Sequence, residues 1–214
     1  MANSSIHEEV LQGLKWRYAT KQFDASKKIS EADWKVLEQS ILLSPSSYGI
    51  QPWKAFVVTS DELKQKLPSA AWGQNQPKDC SHFVVFAARK HVDQAYVLKF
   101  VQRTADVRGM DVSSLNGLRD AILAKTSHLQ DHQSWTARQC YIGLGFLLET
   151  AAMLKIDACP MEGILPDKVD EILGLSSTDY TTVVACALGY RQPTDKYATA
   201  EKVRFEAGDL VQIL

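Results

Sequence analysis

The chain has 214 residues, 45% of them hydrophobic and 23% charged, with a formal net charge of −1. That length suits one large domain with a substantial core, and the near-neutral balance argues against a nucleic-acid surface, which needs a basic excess. The four cysteines, Cys80, Cys140, Cys159 and Cys186, are far apart and form no C-x-x-C, so they read as small buried apolar residues in a reducing compartment and not as a disulfide framework or zinc site.

The opening decapeptide MANSSIHEEV lacks the basic and apolar regions of a signal peptide. Ser5 with Glu8 reads as a capping box, and Ile6, Val10, Leu11 and Leu14 follow at helical spacing. This first helix runs into Arg17. Ser30 with Asp33 starts a second helix with Trp34, Leu37, Ile41 and Leu42 on its apolar side. It must end at SPSSYGIQPW, where Pro45, Gly49 and Pro52 forbid continuation. KAFVVTS reads as a strand, and Asp61 caps a short helix to Leu67 that Pro68 breaks. HFVVFAA, residues 82–88, is a second strand and too apolar to be exposed on both faces.

Residues 92–130 read as helical and more polar. Ser134 caps the strongest helix, WTARQCYIGLGFLLETAAMLK, which is apolar nearly all round and should be central. Its apolar stretch, around residues 140–154, falls short of the ~20 residues of a membrane span and carries Glu149. A soluble cytoplasmic protein is expected. IDACP is a third strand, Asp167–Leu173 a short helix, and TTVVACALGY a fourth strand. From Arg191 the chain is polar and extended, with a last β-like piece at LVQIL. Mixed helices and strands predict an α+β domain over residues 1–214, a sheet covered by helices. The tail has no partner within the chain, so a second subunit could supply the sheet edge it needs.

Several motifs fail on chemistry. GLGFLL, residues 143–148, has two glycines of a dinucleotide fingerprint but lies inside a helix and follows no strand, so helix packing explains the glycines better. There is no Walker A sequence and no G-x-S-x-G elbow. His128 and His132 are four apart, but no glutamate stands between them and no third ligand is evident, so a solvated face is the better reading. Ser44, Ser46 and Ser47 have no assignable histidine and suit loop and capping chemistry.

The cations are more informative. Arg17 and Lys21 follow the first helix, and alone they could simply be solvated charges at its C-terminal dipole. Lys202 and Arg204, in AEKVRF, project to one side if that segment is extended. Converging, the two pairs would suit a phosphate, with arginine supplying a bidentate fork and lysine a point charge.

Six segments, RYATKQFD, LLSPSSYGIQPWKAFVV, SHFVVFAA, WTARQCYIGLGFLLETAA, DACPMEG and EKVRF, together resemble the FMN-dependent nitroreductases, most closely the branch of oxygen-insensitive NAD(P)H nitroreductase and dihydropteridine reductase. The resemblance covers nearly the whole chain, and residues 92–130 match least. It implies a mostly antiparallel sheet flanked by helices, a C-terminal strand exchanged in a homodimer, and a mobile helical region at about 92–130 over the substrate. It implies that Arg17, Lys21, Lys202 and Arg204 meet the FMN phosphate and ribityl oxygens, with Tyr18 and Ala19 contacting the cofactor through their backbone. Relatives have Ser or Thr where this chain has Ala19. Pro45, Ser46, Ser47 and Gly49 would reach the flavin from the second subunit, with Gln51 assisting. Gly49 stands where relatives often have Asn.

The resemblance also implies that Gln74, Asn75 and Gln76 lie near the pyrimidine edge, where an amide can donate to O2 or O4 and accept from N3. Gln76 replaces a frequent lysine. Pro160, Met161, Glu162 and Gly163 would cover one flavin face, the Glu162 N–H pointing at N5, the atom that accepts the hydride. The implied activity is ping-pong transfer of two electrons from NADH or NADPH to a small planar acceptor, a nitroaromatic or quinone. No side chain is nominated as catalytic acid or base, and no metal is implied. Similar folds also serve dihydropteridine reduction, reductive dehalogenation and flavin breakdown, and a flavin-binding or sensing protein with little turnover is the reading from another class.

Overall fold

The computed structural model describes residues 2–214. The sheet has four strands in the order β1-β2-β4-β3: β1 is Trp53–Val58, β2 His82–Arg89, β3 Asp157–Met161 and β4 Tyr180–Gly189. Every neighbouring pair is antiparallel. β2 is buried on both faces because its alternating residues feed separate cores. Val84, Phe86 and Ala88 join Leu37, Ile41, Leu144 and Leu147, whereas Phe83 and Val85 join Leu67, Cys159, Met161 and Val169.

The first core is roofed by α2 (Glu31–Leu42) and α7 (His132–Met153). Gly143 of α7 allows close approach to the sheet: a Cβ there would lie 3.2 Å from Phe86 Cε1 and 3.4 Å from Ser44 Oγ. Gly145 faces open space, so packing explains only the first glycine of GLGFLL. The opposite side carries α3 (Asp61–Lys66), α4 (Gln76–Asp79) and α8 (Pro166–Leu173). The polar middle forms α5 (Gln94–Arg108) and α6 (Asn116–Ser127), which share a third cluster with Ile50 and Trp135. No helix among the described residues is long and apolar enough to cross a membrane.

Several expected boundaries shift. α1 spans Ala2–Trp16, so Ser5 lies inside the helix and does not cap it. Ser60, not Asp61, caps α3 by accepting the Leu63 N–H, and Pro68 sits in a 3-10 turn, Leu67–Ala70, that continues the helix. Asp131 caps α7 by accepting the Ser134 N–H, which places Ser134 within the first turn. The expected terminal strand is absent in one chain: Ala207–Leu210 makes a helical turn and residues 211–214 pair with no strand. α7 is also less enclosed than its composition suggests, since Tyr141, Ile142 and Phe146 are exposed.

The second-helix start agrees with the sequence reading. Ser30 accepts the Asp33 N–H at 3.1 Å and donates its hydroxyl to Asp33 Oδ2 at 2.8 Å. Ser30→Ala is expected to lower stability by about 1 kcal/mol and the melting temperature by roughly 2–4 °C. A thermal melt checks it; an unchanged midpoint would show that the cap contributes nothing net.

Candidate functional site

The chain leaving α1 lies along the outer edge of β3, where Ala19 bridges Ala158 in parallel and the Thr20 N–H donates to Ala158 O at 3.3 Å. This places Arg17 to Lys21 beside the β3 residues that lead into Pro160–Gly163. The tail returns to the same place. A cavity of about 430 Å³ is lined by Arg17, Tyr18, Ala19, Lys21, Lys202 and Arg204, with Glu201 also on its wall. The two cationic pairs therefore converge, as the phosphate reading requires.

Arg17, Lys21, Lys202 and Arg204 make no salt bridge among the described residues. Arg17 Nε is buried without a hydrogen-bond partner, an arrangement that is expensive unless a ligand completes it. Burial and the neighbouring charges of Arg17 and Arg204 pull the Lys202 pKa down. Lys202 also has a structural duty. Its ammonium donates to Leu14 O at 2.8 Å and to Arg17 O, so Lys202, not Arg17, serves the C-terminal carbonyls of α1. Two of its three donors are committed there, which leaves one for a ligand.

Tyr18 is packed by its ring: Arg191 lies over the Tyr18 and Trp16 rings at 4.6 and 4.3 Å. Arg191 is held in turn by Asp157, whose Oδ1 accepts from Nε at 2.7 Å. The Tyr18 hydroxyl is buried without a partner, and burial, opposed by the Arg191 charge, pushes its pKa up to about 12.

A second cavity, about 380 Å³, is lined by Lys21, Trp72, Gln74, Cys159, Pro160, Met161, Glu162 and Gly163. Lys21 stands on the wall of both cavities, with Nζ 3.8 Å from Cys159 Sγ. Gln74 Nε2 donates to Gly163 O at 3.0 Å, and buried Gln76 donates to Gln74 Oε1 at 3.3 Å. Asn75 is exposed. A Cβ on Gly163 would lie 2.9 Å from Gln74 Nε2 and 3.1 Å from Trp72 Cε3, so a larger residue here would displace the Gln74 amide or the Trp72 ring. The Glu162 carboxylate accepts the Tyr141 hydroxyl and is directed to α7, and burial together with that bond pushes the Tyr141 pKa up to about 12. A cationic end thus adjoins an end with amides and backbone, which suits an anionic tail bearing a polar, planar head.

A sequence profile described as the nitroreductase family matches residues 14–190. The chain belongs to that family. A Staphylococcus haemolyticus protein named “Putative NAD(P)H nitroreductase” is 35% identical, with the match covering 98% of this chain and 99% of that one. Two solved structures share the fold. One, a Bacillus subtilis protein described as a “putative nitroreductase”, has a TM-score of 0.86 at 17% identity and covers 97% of this chain and all of its own (100%). The other, from Exiguobacterium sibiricum under the same description and in complex with FMN, has a TM-score of 0.79 at 20% identity, covering 96% and 97%.

The remaining expected nitroreductase residues lie elsewhere in the chain. Pro45, Ser46, Ser47, Gly49 and Gln51 line neither of these two cavities. Their loop is well fixed. Ser46 Oγ accepts the Gln51 N–H at 2.9 Å, Gln139 Oε1 accepts the Ser47 N–H at 2.8 Å, and Gln51 Nε2 donates to Leu42 O at 2.8 Å. Tyr48, Gly49 and Gln51 have left-handed φ values of 57°, 72° and 47°, so the glycine meets a backbone requirement where an Asn would add a side chain. Ser44 Oγ bonds Ile41 O, and His132 Nδ1 accepts the Val92 N–H, which accounts for two of the residues considered for other chemistry.

Sequence reasoning missed Trp72 and Asp195. Trp72 is 69% exposed at the mouth of the second cavity, with φ of 53°. The Trp-Gly dipeptide before Gln74 was its only signal, and it does not show where the ring points.

Proposed function

We propose that this chain is an FMN-dependent NAD(P)H oxidoreductase, acting as a homodimer on small planar acceptors, nitroaromatics or quinones. The observation that carries the reading is the buried Arg17 Nε, unpartnered among the described residues, in a cavity where Lys21, Lys202 and Arg204 also lack acidic partners among them. Family membership and the FMN held by the Exiguobacterium sibiricum neighbour support it. Arg17, Lys21, Arg204 and the free donor of Lys202 would hold the phosphate. Gln74 and Gln76 would orient the pyrimidine edge, and the segment Pro160–Gly163 would back the ring, with the Glu162 N–H toward N5. When bound, FMN supplies two-electron transfer, taking a hydride from NADH or NADPH and delivering the electrons to an acceptor in a ping-pong cycle. The protein's part is binding, stacking and electrostatics.

The dimer follows from what one chain leaves incomplete. The 45–51 loop is rigid yet lies away from the cationic cavity, so it is available to a second copy's site. β1 is an open sheet edge, and beside it lies an apolar groove of about 470 Å³ lined by residues such as Trp34, Ile41, Trp53, Tyr96, Phe100 and Tyr180. The apolar tail of a second copy suits that groove. The helices α5 and α6 would form the mobile cover over the acceptor, within a single domain of residues 1–214 in a cytoplasmic setting.

The purified protein is expected to be yellow and to release FMN, not FAD, when denatured. A visible spectrum and a mass measurement of the released cofactor check this; a colourless protein that takes up no added FMN would sink the reading. NAD(P)H oxidation with and without a quinone then separates an enzyme from a flavin-binding protein with little turnover.

A further inference from the structure

Asp195 is an acid packed against the cationic cavity, and it is only 3% exposed. Its Oδ2 accepts the Lys21 N–H at 2.7 Å and the Gln22 N–H at 3.0 Å, while Oδ1 accepts the Tyr197 N–H at 3.0 Å. It forms no salt bridge with any cation among the described residues. The bonds from Lys21 and Gln22 reach across 174 and 173 positions of sequence. Flanking contacts reinforce them: the Gln192 N–H donates to Gln22 O at 2.8 Å, and Thr194 Oγ1 donates to Gln22 Oε1 at 2.9 Å. One joined segment carries Arg17 and Lys21. The other leads through Tyr197 to Lys202 and Arg204, all of which line the cavity.

Two physical effects then oppose each other. By Coulomb's law a carboxylate beside an anion site weakens the anion, so neutralising it should tighten binding. By geometry the same carboxylate holds the two cation-bearing segments in register, so removing it should loosen binding. Burial alone would raise the Asp195 pKa, but the backbone donors of Lys21, Tyr197 and Gln22 more than offset it and hold the group below the ordinary aspartate range. The carboxylate is therefore firmly bound by backbone, which favours the geometric effect.

We propose that Asp195 is the positioning residue of the phosphate cradle, and that its removal weakens anion binding although it removes a negative charge. The inference rests on the FMN reading above. An asparagine cannot replace the carboxylate. If its oxygen faces Lys21 and Gln22, its amide N–H₂ opposes the Tyr197 N–H; if reversed, two backbone donors lose their acceptor.

The test is a set of titrations of FMN, riboflavin and inorganic phosphate against wild type, Asp195→Asn and Asp195→Glu. In Asp195→Asn, FMN and inorganic phosphate should bind on the order of tenfold more weakly, with riboflavin unchanged. FMN binding as tight as wild type, or tighter, overturns the proposal. Equal losses for FMN and riboflavin also overturn it, because they indicate general damage to the fold. If Asp195→Asn does not fold, Asp195→Glu decides: it keeps the charge but displaces the carboxylate, so weaker FMN binding supports positioning and unchanged binding refutes it. A wild type that does not prefer FMN to riboflavin defeats the functional reading and this inference together. A wild type with that preference, kept in full by Asp195→Asn, defeats this inference alone.

Discussion

Arg17→Ala is expected to weaken FMN binding about 10- to 150-fold, equivalent to one charge-assisted interaction of roughly 1.5–3 kcal/mol, and to leave riboflavin binding nearly unchanged. The reason is local. Among the described residues Arg17 Nε is buried without a partner, and the guanidinium makes no salt bridge. Truncation would thus remove the proposed phosphate contact and strand no acid. Riboflavin lacks the phosphate, so it reads the rest of the site. Arg204→Ala should show the same pattern at the smaller end of the range, because Arg204 is exposed and one of its NH groups already donates to Val203 O at 2.6 Å. Lys202→Ala should behave differently, losing stability as well as FMN, because its ammonium also serves the Leu14 and Arg17 carbonyls. Paired FMN and riboflavin titrations with a melt on each variant provide the check. If the arginine variants bind FMN as wild type does, the cradle is not the phosphate site. Turnover at saturating FMN should largely recover, since the phosphate of FMN is separated from its reacting N5 by the ribityl chain.

The periodicities and strong breakers carried most of the architecture. Strand β2 was legible because seven apolar or near-neutral residues in succession do not suit exposure on both faces, and α2 because Ser30 and Asp33 stand at cap spacing before apolar repeats. The errors arose where neighbouring residues compete for one role. Ser60 and Asp61 can both cap, and so can Asp131 and Ser134; local sequence does not say which backbone N–H groups stay free. The convergence of the terminal cations was legible only as a possibility, since Lys202 meets Arg17 across 185 positions. Asp195 belonged to no motif at all, because its importance lies in accepting backbone N–H groups, which every residue but proline offers. The ligand role expected of loop 45–51 was read from the resemblance, whereas its contacts in this chain are those of a fixed turn.

The apolar composition of α7 and of the tail gives the last expectation its force. Removing residues 205–214 should raise the dimer dissociation constant at least about a hundredfold, or roughly 2.8 kcal/mol. In one chain Ile213 is 95% exposed and Leu214 108%, and Phe205, Leu210 and Val211 are also exposed. Full burial of two such side chains contributes ~3–6 kcal/mol, and ordering the tail takes back part of it. A receiving surface exists: the outer edge of β1 has free backbone groups to pair, and the adjoining groove is lined by Trp34, Trp53, Phe100 and Tyr180. The fold itself should survive, because no described core cluster includes a residue beyond 190. Lys202 and Arg204 also remain in the shortened chain, so lost charge does not explain a loss of FMN, and the proposed partner loop 45–51 does. Sedimentation equilibrium of both forms at micromolar concentration, with FMN fluorescence read in parallel, makes the comparison. A shortened protein that stays dimeric and keeps its FMN would show that α7 and the other exposed apolar faces suffice, and that the tail docks elsewhere or not at all.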